Sequence, residues 1–419
     1  MKKDSAILFR WTALILASLT MFGSYYMYDC IAYVEEPLKN ILGFNSVQYA
    51  WVLYSAYALA AIAMLFIGGV FIDRFGTRLS ILIFGLTCTF AGIFTAFSHS
   101  FLTMILSRIV LGFGAEPLVV AVTVAVARWF KGRALGFALG INLLIARLGS
   151  SMVDWSPTWG HRFYIGYQMP LILASAIGLF CTLGAIGYYF MESKAEKKLL
   201  LGKAGETDKL KLSGLFEFNR SFWFITILCV TFYSAVFPFR GFAPVFYQHV
   251  FLVSKSLAGR LNSILPITTM IATPLIGILI DKVGRRAGMM FLGSIILLPV
   301  YLIMAYTHVS LYIPVAMLGI SFSLIPAIMW PSVAYIVEEK RLGTAYALMM
   351  LIQQGGLFLF TLLIGWANDY SQASASNPKG YNLGMWFFSI LGIVGLIFSY
   401  LLRKEETGPN GHGLEKGSI

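Results

Sequence analysis

GGVFIDRFGTR, at Gly68–Arg78, returns as IGILIDKVGRR at Ile276–Arg286. Gly69, Asp73, Gly76 and Arg78 align with Gly277, Asp281, Gly284 and Arg286 at a constant offset of 208. Each copy sits after the second apolar run of its half of the chain. A tight turn needs its glycine, and an aspartate beside it can accept hydrogen bonds from a helix N-terminus or a basic side chain. The pair predicts an internal repeat with a breakable cytoplasmic latch in each half. The residues expected to gate are Gly69, Asp73, Arg74 and Arg78 in the first copy and Asp281, Arg285 and Arg286 in the second.

Outward from these turns the chain is apolar. Of 419 residues, 58% are hydrophobic and only 12% charged, against about 25% charged in soluble domains. Crossing a hydrocarbon core of about 30 Å takes about 20 apolar residues in a helix. Twelve runs qualify, near 10–33, 49–72, 79–98, 101–127, 134–157, 165–191, 221–250, 257–280, 287–307, 311–337, 343–368 and 381–402. The expected fold class is an all-α membrane protein, with twelve transmembrane helices in two pseudo-symmetric six-helix bundles. The expected organisation is a first bundle over 1–191, a cytoplasmic linker over 192–220, a second bundle over 221–402 and a cytoplasmic tail over 403–419. Parallel six-helix repeats are one known plan for carriers, with the solute site near midplane.

The net charge of +12 is a matter of topology. Five of the 31 Lys and Arg fall on expected outer loops (Lys39, Arg162, Lys255, Arg260 and Lys379), and three lie within helices (Arg108, Arg147 and Arg240). The others lie on segments that are cytoplasmic if both termini are inside, which is the positive-inside pattern. Nucleic acid is therefore not an expected partner; the lipid bilayer is. Lys2, Lys3 and Arg10 precede a long first apolar run with no small-residue cleavage site, so that run is expected to be retained. Short outer loops without an outward N-x-S/T sequon point to a bacterial inner membrane. Cys30, Cys88, Cys181 and Cys229 are isolated in apolar runs and are expected to pack, with no metal spacing. No Walker A or nucleophile-elbow motif is present, so neither an enzyme nor a cofactor is expected.

Charges inside the apolar runs carry the functional expectation, because a mid-bilayer charge costs a few kcal/mol and usually marks a pathway, a cavity or a pair. Ser107–Ser151 holds three of them, Arg108, Glu116 and Arg147. Glu116 lies eight residues beyond Arg108, about 12 Å along a helix, and Glu116 and Arg147 reach similar mid-depths. Arginine binds a carboxylate bidentately and a carboxylate suits an ammonium, so the two can hold opposite ends of a zwitterion; an internal salt bridge is the plainer option. Asp29 in YYMYDC and Arg240 in VFPFRG occupy near-matching repeat positions. They are expected at an outer gate or the far end of the site, or else at the interface. Arg108, in R-x-x-x-G-x-G, is expected to be structural or coupling. Tyr25, Tyr26, Tyr28, Tyr54, Tyr57, Tyr233 and Trp330 accompany these charges; Tyr28, Tyr57 and Trp330 are the cavity candidates. Gln353 and Gln354 can bond a peptide amide or a neighbouring helix. Asp154, His161 and Arg162 are expected in a solvated outer loop. Pro238, Pro244, Pro266, Pro274, Pro326 and Pro331 should bend the second-half helices.

The motif G-x-x-x-D-[RK]-x-G-x-[RK], present twice, resembles the loop signature of the major facilitator superfamily. GSYYMYD, GFGAEPLVVA, RWFKGRALGFALGINLLIARLGS, AVFPFRGFAPVFY, AMLGISFSL, MWPSVAYIV and RLGTAYALM resemble the lysosomal dipeptide transporter branch and its bacterial relatives. The resemblance implies the major facilitator fold and a facilitator of short peptides in which Glu116 and Arg147 engage the peptide. Arg240 departs from it, standing where an apolar residue is expected. The reading is an alternating-access transporter of small zwitterionic solutes, dipeptides or short peptides, by uniport. A proton-coupled or exchange carrier of organic anions is the alternative, since Arg108, Arg147 and Arg240 outnumber Asp29 and Glu116. A non-transporting membrane sensor is the alternative of another class. The expected working form is a monomer, with an accessory subunit left open.

Overall fold

A computed structural model describes residues 3–130, 134–199, 218–338, 341–409 and 411–415. Among the described residues, twelve helices are long and apolar enough to cross a membrane, and no strand occurs. They are α1 (Lys3–Asp29), α2 (46–75), α3 (77–96), α4 (Phe101–Phe130), α5 (Leu135–Trp159), α6 (Gln168–Leu199), α7 (Arg220–Phe251), α8 (255–283), α9 (286–306), α10 (Tyr312–Ile336), α11 (Leu342–Tyr370) and α12 (Asn382–Glu406). The apolar runs decide these helices because backbone groups in lipid must be satisfied within the segment. Polar residues start several of them. Asn45 and Gln48 form a capping box before α2, with the Gln48 N–H donating to Asn45 at 2.7 Å, and Asn219 accepts from Phe222 N at 2.9 Å before α7.

Helix α2 runs into α3 through one non-helical residue, Gly76 (φ 76°, ψ 169°). The equivalent turn after α8 uses Gly284 (φ 68°, ψ −133°) followed by Arg285 (φ 52°). Both glycines adopt a backbone that a Cβ disfavours. The register of the repeated motif is thus the register of two matching turns. Gly69 and Gly277 lie inside their helices, and a Cβ at either would meet nothing within 4 Å.

The chain packs as two units. One comprises Met1–Phe44 and Ala56–Thr207, the other Asn45–Ser55 and Asp208–Ile419. The expected division falls at the linker alone; by packing, Asn45–Ser55 also goes with the second unit. This segment ends in a π-helical turn, Trp51–Ser55, and its start is tied to α11: the N–H groups of Ser46 and Val47 donate to the Asp369 carboxylate at 2.7 and 2.9 Å. Tyr49 donates to the Gly241 carbonyl at 3.2 Å and Ser55 to the Phe358 carbonyl at 3.1 Å. Most of the expected linker, 200–217, lies outside the described residues, while 192–199 continues α6. The expected tail begins inside α12, which runs to Glu406.

The first unit has an aliphatic core in which Leu14, Ile81, Leu118, Val122 and Ala185 are all but closed to solvent. Small residues let its helices approach, as the R-x-x-x-G-x-G pattern anticipates: a Cβ at Gly112 would fall 2.7 Å from the Tyr57 carbonyl oxygen. The second unit is aromatic at its centre. Tyr301 stacks on Phe388 at 4.9 Å and Phe239 meets Tyr301 edge-on at 5.1 Å. Pro238 and Pro244 lie inside α7, Pro274 inside α8, and Pro326 and Pro331 inside α10. All four cysteines are buried and free.

Candidate solute-binding site

Helix α1 of the first unit supplies Tyr25, Tyr28 and Asp29, spaced so that one face carries them all. Tyr57 of α2 donates its hydroxyl to Glu116 Oε1 of α4 at 2.9 Å. The Tyr57 ring meets Tyr28 edge-on, with centroids 4.6 Å apart. From α5, the Arg147 guanidinium lies 5.6 Å above the Tyr25 ring, inside cation–π range. Tyr25 is also within electrostatic reach of Glu116 and Asp29. Four helices of one unit therefore supply Glu116, Arg147, Asp29 and three tyrosines, with Arg147 over the Tyr25 ring and Glu116 bonded to Tyr57. Glu116 and Arg147 are half-buried, whereas Asp29 is buried and accepts from Ser150 Oγ at 2.6 Å.

Arg108 faces a different task. Only 1% exposed, it donates Nη1 to the Met27 carbonyl at 3.0 Å and Nη2 to the Tyr28 carbonyl at 2.8 Å. These carbonyls belong to the last turn of α1, where a helix leaves acceptors open and favours a cation; that of Met27 also accepts from Cys30 Sγ at 3.2 Å. Arg108 thereby holds the end of the helix that carries Tyr25, Tyr28 and Asp29.

In the second unit Arg240 is buried on α7, and its backbone carbonyl accepts from Asn262 Nδ2 at 3.3 Å. Trp330 Nε1 donates to the Tyr233 hydroxyl at 3.3 Å, and the Tyr346 hydroxyl donates to the Trp330 carbonyl at 3.0 Å. Gln353 accepts from Cys229 Sγ at 3.4 Å, a bond between neighbouring helices. Trp330 and Gln353 are thus set in separate polar contacts of their own unit.

The expected gate residues divide likewise. Asp73 and Arg74 are exposed, with Arg74 5.4 Å from the Phe75 ring; Arg78 stacks at 5.1 Å on Tyr189. Arg286 is buried and stacks at 4.5 Å on Tyr335, whereas Arg285 is exposed. Asp281 lies in α8, with its side chain outside the described residues. Sequence reasoning missed the cluster behind the first turn. Arg128 Nη1 donates to Thr77 Oγ1 at 2.7 Å and to Glu192 Oε1 at 2.9 Å, and Thr77 donates to Glu192 at 3.0 Å. Glu192 is 1% exposed, so this carboxylate is held by an ion pair. Thr77 lies within the quoted motif, which was the available signal. Asp154, expected in a solvated outer loop, is instead buried in α5 and accepts from the Tyr33 hydroxyl at 2.7 Å. A buried carboxylate persists where a donor satisfies it. His161 and Arg162 are exposed in the following turn.

The model of the Major Facilitator Superfamily matches residues 14–259 and 235–418. Lysosomal dipeptide transporter MFSD1 of Danio rerio is 33% identical, over 96% of this chain and 89% of its own length. The Homo sapiens protein of the same name is 30% identical, over 96% and 88%. Among solved structures, a bacterial homolog of the human lysosomal transporter Spinster, inward-facing and occupied, superposes with a TM-score of 0.73 at 15% identity, covering 94% of this chain and 97% of that one. The nucleoside transporter NupG gives 0.72 at 15% identity, over 94% and 98%; at such identities these two speak for the fold alone. Twelve membrane-length helices, a twice-repeated turn motif and full-length relatives together place this chain in the Major Facilitator Superfamily, as a transporter of that type.

Proposed function

We propose that the protein carries short zwitterionic peptides, dipeptides foremost, by alternating access and as a uniporter. The observation that carries this reading is that one unit holds Arg147 over the Tyr25 ring, Glu116 on the Tyr57 hydroxyl and Asp29 buried on the helix that carries Tyr25. Arg147 suits the peptide carboxylate and Glu116, oriented by Tyr57, suits the ammonium. A zwitterion is balanced by one acid and one arginine without a co-transported ion, which supports uniport. The relatives named as lysosomal dipeptide transporters support the peptide class. In the second unit Arg240, Trp330 and Gln353 are proposed side-chain contacts, Arg240 being the one that departs from the resemblance. The distribution of Lys and Arg supports a bacterial inner membrane with both termini cytoplasmic, and a monomer is the proposed working form.

Thermal stabilisation of purified protein by dipeptides, free amino acids and dicarboxylates tests the substrate class. Dipeptides are expected to raise Tm; if dicarboxylates alone do so, the peptide reading fails and the organic-anion carrier replaces it. That alternative is weakened by Arg108, whose donors go to the α1 carbonyls. Glu116→Gln and Arg147→Ala should each abolish the stabilisation at similar folded yield, and retained binding in both would sink the site. Counterflow of a stabilising dipeptide in liposomes separates a carrier from a sensor, which would show none.

A further inference from the structure

Past α12 the chain turns back on itself. The His412 N–H donates to Glu406 Oε2 at 2.8 Å, and His412 Nδ1 lies 2.9 Å from Glu406 Oε1. Asn219 offers Nδ2 to His412 Nε2 at 3.0 Å while its Oδ1 caps Phe222 N. An amide nitrogen only donates, so Nε2 is the accepting nitrogen and Nδ1–H faces Glu406. Ser221 donates to the same carboxylate at 2.6 Å. Leu414 is fully buried, its carbonyl accepts from Arg286 N at 2.8 Å, and Glu415 Oε1 accepts from Gly288 N at 3.0 Å. The segment thereby ties the end of α12 to the starts of α7 and α9.

Two glycines make the return path. A Cβ at Gly411 would fall 2.3 Å from the Glu406 carbonyl oxygen, and Gly413 has φ 91°. The N–H groups held in α9, those of Arg286 and Gly288, lie within three residues of Gly284–Arg285, the second copy of the repeated turn, which carries a non-glycine residue at φ 52°. An acidic side chain at a helix start is favourable, and a positive φ on Arg285 persists only where its surroundings hold it.

We propose that Gly411–Glu415 is a docking strap that clamps the second turn and acts as a brake on the transport cycle. Docked, it supplies α9 with the carbonyl and carboxylate that keep the turn in place; released, it frees the turn to rearrange. The latch of a rocking carrier must yield in each cycle, so an added clamp slows exit from the clamped state. Five residues with one apolar anchor are a small enough unit to detach without unfolding the bundle.

The test compares the full chain with Gly411→Val, which collides with the Glu406 carbonyl, and with Glu415→Lys, which reverses the charge at the start of α9. Lys404→Ala, exposed on α12, is the control. Hydrogen exchange in nanodiscs without substrate should quicken about tenfold at Arg286–Gly288 in both variants and stay unchanged in the control. Counterflow turnover of a dipeptide should rise severalfold with half-saturating concentration unaltered. Unchanged exchange overturns the docking; quickened exchange with equal or lower turnover overturns the brake. The exchange measurement needs no solute, so it decides the strap even if dipeptides prove not to be carried. Should Gly411→Val fail to fold, Glu415→Lys alone gives both readouts.

Discussion

Gly76 and Gly284 turn the chain between the second and third helices of their units with similar positive φ, 76° and 68°, yet the groups that brace the two turns are unrelated. Behind Gly76 stands a buried side-chain cluster, Thr77 with Arg128 and Glu192. Behind Gly284 the braces are a backbone carbonyl and a carboxylate from Gly411–Glu415. The difference starts with one position of the repeat. Thr77 is small and its hydroxyl both donates and accepts, so it can be the hub of a buried cluster. Its counterpart Arg285 is exposed and cannot. A repeated motif thus preserves a backbone shape while leaving each copy to find its own support.

The sharpest way to break this comparison is Arg128→Met. It leaves the 1%-exposed Glu192 without its cation, and loss of one partner of a buried pair costs about 3 kcal/mol. Thermal denaturation of the purified protein should show the largest fall of the set; behind Gly284 the described brace is a backbone carbonyl and a carboxylate on backbone N–H groups. Next come Gly76→Ala and Gly284→Ala, expected to cost about 1–3 kcal/mol each, because positive φ with an extended ψ is a backbone essentially reserved for glycine. Nothing lies within 4 Å of a Cβ at Gly76, so its cost is conformational alone. Equal losses of Tm would bind the two turns to one shape, and a harmless Gly284→Ala would part them. Thr77→Val removes the hub hydroxyl but spares the Arg128–Glu192 contact, at about 1 kcal/mol. The smallest effect runs the other way: Arg285→Gly relieves φ 52° on an exposed residue and should stabilise by about 0.5–1 kcal/mol. A lower Tm in that variant would mean that the Arg285 side chain holds the turn.

The parts of the molecule written in periodic apolar runs were legible beforehand. The run expected over 101–127 is Phe101–Phe130, and that over 311–337 is Tyr312–Ile336; lipid leaves such segments no other state than helix. The motif also located both turns, because only glycine relieves them. Among the charges, Glu116 and Arg147 stood out as costly inside apolar runs; the one accepts from Tyr57 and the other lies over Tyr25. What stayed hidden was the destination of polar groups. Arg108 ends on two backbone carbonyls, which carry no mark in the sequence. Thr77, Arg128 and Glu192 are 51 and 115 positions apart by the bonds that join them, and beyond Thr77's place in the motif nothing local announces their meeting. Asp154 sits near the end of its run and reads as loop, although Tyr33 supplies the donor that lets it be buried. Gly411–Glu415 reads as solvated chain, since its docking depends on one leucine and on backbone acceptors.

The π-helical turn Trp51–Ser55 lies where α2 leaves one unit's packing for the other's. Two six-helix fragments made separately by dividing the gene between the sixth and seventh helices would therefore not be self-sufficient. The first would carry Asn45–Ser55 without Asp369, leaving the Ser46 and Val47 amides and the Tyr49 and Ser55 hydroxyls without the acceptors they use in the whole chain. Co-expressed halves should recover each other, and the second half made alone should lose stability by exposing the surface that this eleven-residue piece covers.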